Sequence, residues 1–457
     1  GFRWSFTQGY RRFRDRSFLH LDAPTIGNNP SDTTVYNLFS RTMPANGESY
    51  FSILDLTRNF AKRLDFTARI IYADTKTLSQ LVDRFNGRDN TNNFIDLDLY
   101  ETAGRAKRIQ TRGDVGLTFR ATDAFTLSNT FSFDQFEING FETLTQTLTL
   151  RNSAGVAQPI KLTTSEAART NHFRRYSNLF EGDYQFNNRV SFHAGYRYTR
   201  RMRTVGGYDL NILSSNNPAT VNNSLRQCPY TGTGNPNPRI FCEDQENTTH
   251  TFLAGGKVKA RRHWAFFWDI ERGEADSVFT RIENYSFTNF RVRNQITFNK
   301  FSMGLSAIVK NNTNPAQTDA IPPEGFGTDV RSRIYSANFN WTPRTAIILS
   351  GGYTYTHQTA TTPIFVRSGN VRVLGRSEYY VRDHFAFIDA SVSPHRRVTL
   401  YAAYRMSKDT GQGDRPLTDP YSVLIGSSPT AVLNNPELFI LSYPMRMQSP
   451  EVKAAFR

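Results

Sequence analysis

The sequence predicts an all-β fold: a single antiparallel β-barrel of about 14–18 strands that crosses a membrane. Three observations carry this. Apolar and polar residues alternate with period two along the chain, so one face of each strand meets an apolar surrounding and the other a polar one. Short connections alternate strictly with long ones, the habit of barrels with tight periplasmic turns and extended outer loops. No run of about 18 apolar residues exists that could form a transmembrane helix. A composition 38% hydrophobic yet 13% aromatic, with mean hydropathy −0.53, excludes a helical membrane protein. It suits a barrel, where only every second strand residue faces lipid.

The elements follow in order. Leu64, Phe66, Ala68, Ile70 and Tyr72 alternate with Asp65, Thr67 and Arg69. Val115, Leu117 and Phe119 turn at Ala121–Ala124 into Phe125, Leu127, Phe131 and Phe133. Val190 to Tyr198, Phe290 to Phe298, Phe301 to Val309, Ile347 to Tyr355 and Val398 to Tyr404 repeat the pattern. Further short turns are predicted at Ala61–Arg63, Asn187–Asn188, Ala260–His263, Asn299–Lys300, Thr342–Arg344 and Pro394–Arg397. Long outer loops rich in Asn, Asp, Gly, Pro, Ser and Thr are predicted near 74–108, 137–172, 203–248, 272–285, 311–330, 357–382 and 406–438. Seven hairpins imply roughly 14 strands, and Phe2–Phe6 and the C-terminal stretch would add more. Tyr196, Tyr198, Trp264, Trp341, Tyr353, Tyr355 and Tyr404 fall near strand ends, as interfacial girdles require. A length of 457 residues would ordinarily suggest about three soluble domains, but no linker separates independent patterns, so 1–457 is read as one domain. The start at Gly1 and the end at Ala454–Arg457 read as a removed leader or a piece of a larger barrel.

The formal charge is +15, from 55 Lys and Arg against 40 Asp and Glu. These cations are dispersed, and no patch of about five to eight appears, so nucleic acid is not an expected partner. Cys228 and Cys242 share one Gly/Pro/Asn-rich segment and are candidates for a short disulfide loop in an oxidising compartment. Their spacing does not suit a metal site.

Charged residues recur on the polar parity: Arg69, Arg120, Arg197, Arg201, Lys257, Arg291, Arg293 and Arg405, with Asp65, Asp134, Asp269, Glu271 and Asp389 among them. Arg or Lys on a lipid face near mid-membrane costs roughly 2–4 kcal/mol, so this parity is expected to face the barrel lumen. The functional reading is a basic, water-filled lumen that favours anions or an acidic partner. The structural alternative is pairing across neighbouring strands with no effect on selectivity. The Arg291/Arg293 pair, two cations on one face, is the sharpest candidate.

Asp89, Asp96 and Asp98 lie in an acidic, Asn-rich stretch and form a weak Ca²⁺ candidate without EF-hand spacing. The eight histidines show no i, i+4 pair, and HExxH, Cys-x-x-Cys-His, Gly-x-Ser-x-Gly, Walker and dinucleotide motifs are absent. No enzyme activity and no cofactor are therefore expected of the chain itself.

The strand, short turn, strand, long loop grammar resembles Gram-negative outer-membrane β-barrels across nearly the whole chain. The phrases that carry it are Val115–Phe133 (VGLTFRATDAFTLSNTFSF) and Phe339–Tyr355 (FNWTPRTAIILSGGYTY). Its texture is similar to the porin-like sheaths of the MtrB/PioB kind. The barrel resemblance implies a location in the bacterial outer membrane and contact with its lipid, and the basic polar parity adds passage of small solutes, leaning to anions. For a sheath it implies a guest instead, a multihaem cytochrome or a lipoprotein, and electron transfer through that guest. A surface β-adhesin is the third reading.

Overall fold

The computed structural model describes the chain except residues 22–24, 27–34, 61–62, 216–221, 228–242, 281–282, 316–326, 369–370, 415–444 and 457. Cys228 and Cys242, and most of the Ala61–Arg63 turn, lie outside the described residues. The described strands are β1 (Arg3–Leu21), β2 (Thr25–Ile26), β3 (Val35–Phe60), β4 (Leu64–Arg88), β5 (Phe94–Arg120), β6 (Phe125–Arg151), β7 (Lys161–Gln185), β8 (Val190–Ser215) and β9 (Asn222–Gln227). They continue with β10 (Glu243–Arg261), β11 (Trp264–Ala275), β12 (Ser286–Phe298), β13 (Phe301–Asn314), β14 (Thr328–Arg344), β15 (Ile347–Ser368), β16 (Val371–His395), β17 (Val398–Asp414) and β18 (Met445–Phe456). All belong to one antiparallel sheet. β2 and β9 are short; the other sixteen pair with their sequence neighbours, β1 with β3 and β8 with β10 across the short ones. The fold is all-β, and no helix of the described residues is long and apolar enough to cross a membrane.

The chain divides into two compact units. The first comprises Gly1–Leu117, Thr130–Ser177 and Arg200–Glu246; the second comprises Thr118–Asn129, Asn178–Thr199 and Asn247–Arg457.

The short turns fall where polar residues cap the reversal. Thr122 Oγ1 accepts from the Ala124 and Phe125 amides at 3.2 and 3.0 Å. Asn187 Oδ1 accepts from the Arg189 and Val190 amides at 2.8 and 2.9 Å, an Asx turn closed by its own side chain. Arg262–His263, Asn299–Lys300 and Arg396–Arg397 close further hairpins at predicted positions. The turn predicted at Thr342–Arg344 sits slightly later, because β14 continues to Arg344 and reverses over Thr345–Ala346.

At the opposite, distal end the strands run far into the spans predicted as loops. β4 and β5 leave only residues 89–93 between them within 74–108, and β6 and β7 leave only 152–160 within 137–172. β15 and β16 are paired through most of 357–382, from His357 opposite Arg382 to Ser368 opposite Val371. The physical reason is that a strand needs its backbone partners, not an apolar face. Where both faces meet water, Thr, Ser, Asn and charged residues occupy both parities and the period-two signal fades. A 25-residue strand is roughly 80 Å long at 3.3 Å per residue, while about ten residues suffice to cross hydrocarbon. Between β6 and β7, Gly155 takes φ +83°, where a side chain would be strained, and its amide donates to the Asn152 carbonyl at 2.8 Å.

Cross-strand register sorts side chains into two faces. In the second unit one row reads Phe301, Trp341, Leu349, Ala390, Ala402 and Val452, and the next Met303, Phe339, Gly351, Ile388, Tyr404 and Pro450. In the first unit Trp4, Leu56 and Ala68 form one such row and Phe6, Leu54 and Ile70 another. This face is apolar yet uncovered: Trp4 is 67% exposed, Phe6 55%, Ile388 55% and Val452 83%. Contiguous apolar exposure on this scale marks a surface that meets lipid or another apolar partner.

Candidate functional site

The opposite face carries the candidate chemistry. In the second unit register places Asp269 opposite Arg291, Phe267 opposite Arg293, and Lys257 opposite Phe267. Pairing continues this face through Ser306, Ser336 and Thr354. The Ser306 and Ser336 hydroxyls share a hydrogen bond at 2.7 Å. Gly304 and Gly352 share the face, and the space a side chain would take at each is filled by Asn338 and Phe387.

The cations are held in three ways. Arg197 donates to Glu271, which also accepts from Asn289 Nδ2 at 3.1 Å, so one carboxylate ties three strands. Arg405 lies 3.4 Å from Glu451, whose other oxygen is bonded by Lys453. The ring of Phe267 is flanked by Arg293 at 4.3 Å and Lys257 at 5.3 Å. Two cations on one ring gain from its quadrupole; Arg293 stands across from Phe267 and Ser306, and Lys257 across from Phe267. Arg291 faces Asp269, whose Oδ1 is 3.3 Å from His193 Nε2.

In the first unit Arg69 Nε lies 3.5 Å from Asp55, its direct cross-strand partner. Beside it a hollow of about 380 Å³ is lined by Arg69, Arg112, Asp114, Asp134 and Arg175 among others. Gln110 donates to Asp134 at 2.9 Å, tying β5 to β6 on the same face. Arg120 and Arg201 share the parity by strand alternation; Arg120 closes β5 at its proximal end and Arg201 lies in β8.

The structure does not gather the predicted calcium ligands. Asp89 Oδ1 accepts from the Thr91 amide and hydroxyl at 2.9 Å each and from the Asn93 amide at 2.8 Å, and Oδ2 accepts from Asn93 Nδ2 at 2.9 Å. Burial pushes the Asp89 carboxyl up, but these four bonds outweigh it and hold its pKa below the usual range. Asp96 takes both Arg151 nitrogens at 2.6–3.0 Å, and Asp98 accepts from Gln146 at 2.9 Å. Each carboxylate is occupied by a protein donor, and among the described residues no three such ligands converge.

Residue patterning missed Glu451 and Lys453, because β18 lies beyond the last strand with clear alternation. It also missed Asp383 and Asp409, which face each other across β16 and β17, the first just past the loop predicted at 357–382 and the second inside the one predicted at 406–438.

No family model and no curated protein matches the chain. Among solved structures it is similar to the RagAB peptide importer in its closed-closed state, at 9% identity and TM-score 0.45, over 87% of this chain and 53% of that one. It is also similar to the ferric yersiniabactin uptake receptor FyuA from Yersinia pestis, at 7% identity and TM-score 0.33, over 96% of this chain and 74% of that one. The toluene transporter TodX of P. putida gives 8% identity and TM-score 0.25, over 99% and 90%. The chain spans about half the length of the RagAB chains it matches.

Proposed function

We propose that the chain forms wall of an outer-membrane β-barrel whose polar face lines a water-filled passage for small solutes, with a lean toward anions. The observation that carries this is the sorting of faces by register: uncovered Trp, Phe, Ile and Val on one side, charged and hydroxyl side chains on the other. Placing the cations against lipid would cost roughly 2–4 kcal/mol each at mid-membrane, so hydrocarbon belongs on the apolar side. The anion lean rests on Lys257 and Arg293, which flank the Phe267 ring, with Arg291 on the same face opposite Asp269. Arg69, Arg197 and Arg405 are matched by carboxylates and contribute cohesion more than selectivity.

The test is conductance in planar bilayers under a salt gradient. The reading expects steady channels with an anion-selective reversal potential, and K257E/R291E/R293E should move that potential toward cation selectivity. A silent protein, or an unmoved potential, would contradict it.

The matched pairs favour a second reading, a sheath around a multihaem cytochrome or lipoprotein, since a neutralised wall suits a protein guest. Co-purification of a haem-bearing partner from membranes would select it over the open pore.

A further inference from the structure

The apolar face ends at a basic border. In the first unit the face runs up β4 through Ala68, Ile70 and Tyr72 and then meets Asp74, Lys76 and Leu78; up β1 it passes Tyr10 to Arg12. Register sets Arg12 opposite Glu48 and Glu48 opposite Lys76. There a groove of about 700 Å³ opens, lined by Tyr10, Arg12, Lys76, Leu78, Arg105, Lys107 and Phe141 among others. Arg105 lies 5.1 Å over the Phe141 ring. Lys76 is 3.7 Å from Glu48 and Lys107 is 3.4 Å from Asp74. Four cations thus meet two carboxylates over a partly apolar floor, with Leu78 59% exposed.

The second unit repeats the order independently. Past Val309, the same face reads Arg333, His357 and Arg382 across successive strands; past Tyr335 and Tyr355, whose rings stack at 6.4 Å, it reads His384, Lys408 and Arg446. Neither row contains a carboxylate.

We propose that this outward border binds the phosphorylated headgroups of a membrane lipid, with the first-unit groove as a seat in which Arg12 and Arg105 take the phosphate. The inference rests on the barrel reading above, since it takes the apolar face as the lipid face. A soluble anion would need no apolar floor. A lipid does: Tyr10, Leu78 and Phe141 continue the surface on which its chains lie, while the cations meet its headgroup at the depth where anionic lipid attracts basic residues.

The test is native mass spectrometry of the folded full chain in neutral detergent, titrated with a diphosphorylated lipid A, alongside insertion into phosphatidylcholine vesicles. Binding of discrete lipid A adducts is expected, weakened about tenfold or more in R12E/R105E, with inorganic phosphate at equal concentration failing to compete. R12Q/R105Q, checked for native folding by its heat-dependent gel mobility, should show a smaller loss in the same direction. Normal insertion with unchanged adducts in both folded variants would overturn the inference and leave the barrel standing. Full competition by inorganic phosphate would overturn it too, making the site one for soluble anions. Failure of the unmodified chain to insert into any vesicle would instead overturn the barrel reading.

Discussion

Asp89 shows how single residues shape the distal end of the sheet. Its carboxylate replaces the backbone partners that the reversal at residues 89–93 leaves open, accepting from both Thr91 and Asn93, and Asn92 takes φ 67° within it. Asp89→Ala should cost the β4–β5 hairpin about 1 kcal/mol of local stability, read as faster hydrogen exchange at the Thr91 and Asn93 amides. The sign with pH follows from the lowered pKa. A carboxylate held below its unfolded value stabilises the hairpin above the ordinary carboxylate range, and that contribution fades as pH falls through the folded pKa. Protection at these amides should therefore drop on acidification in the native chain, and Asp89→Asn should flatten the dependence. Equal acid sensitivity in both proteins would contradict the assignment. The identity of Asp89 as acidic was legible; that it closes a turn was not, because its donors are neighbours whose orientation depends on where the strands end.

At the scale of the strand, what sequence reveals is what an apolar surrounding demands. From Ala386 to Val392 on β16 the alternation is clear: Ala386, Ile388, Ala390 and Val392 on one face, Phe387, Asp389 and Ser391 on the other. Its short turn at Arg396–Arg397 was equally legible. The segment from Glu378 to Asp383 was not, since water on both faces imposes no parity there. Pairings distant in sequence were also hidden: Arg197 and Glu271 each stood out as polar-face charges, but only register unites them. The two faces should respond oppositely to charge. Ile388→Arg should destabilise the folded protein in vesicles by roughly 2–4 kcal/mol, while Ser391→Arg on the same strand should cost under about 1 kcal/mol. Urea midpoints in matched lipid read both, and equal losses would refute the assignment of faces.

At the scale of the molecule, the buried apolar residues are few among the described ones (Ala68, Ile95, Leu150, Ala275, Phe287 and Ala403), while the large apolar side chains lie uncovered in strand-by-strand rows. A single sheet with one greasy side has its apolar stabilisation outside itself, which the barrel reading assigns to lipid. Fractionated cell envelopes should hold the protein in the outer membrane through high-salt washing, and release it only with detergent; extraction by salt alone would favour a peripheral adhesin.

The most direct measurement is a spin-label scan from Ala386 to Val392, with single cysteines in a chain whose Cys228 and Cys242 are replaced, reconstituted in lipid. Labels at 386, 388, 390 and 392 should be relaxed by oxygen dissolved in the acyl chains, and those at 387, 389 and 391 by a water-soluble nickel complex. Seven labels with the same response would contradict the account.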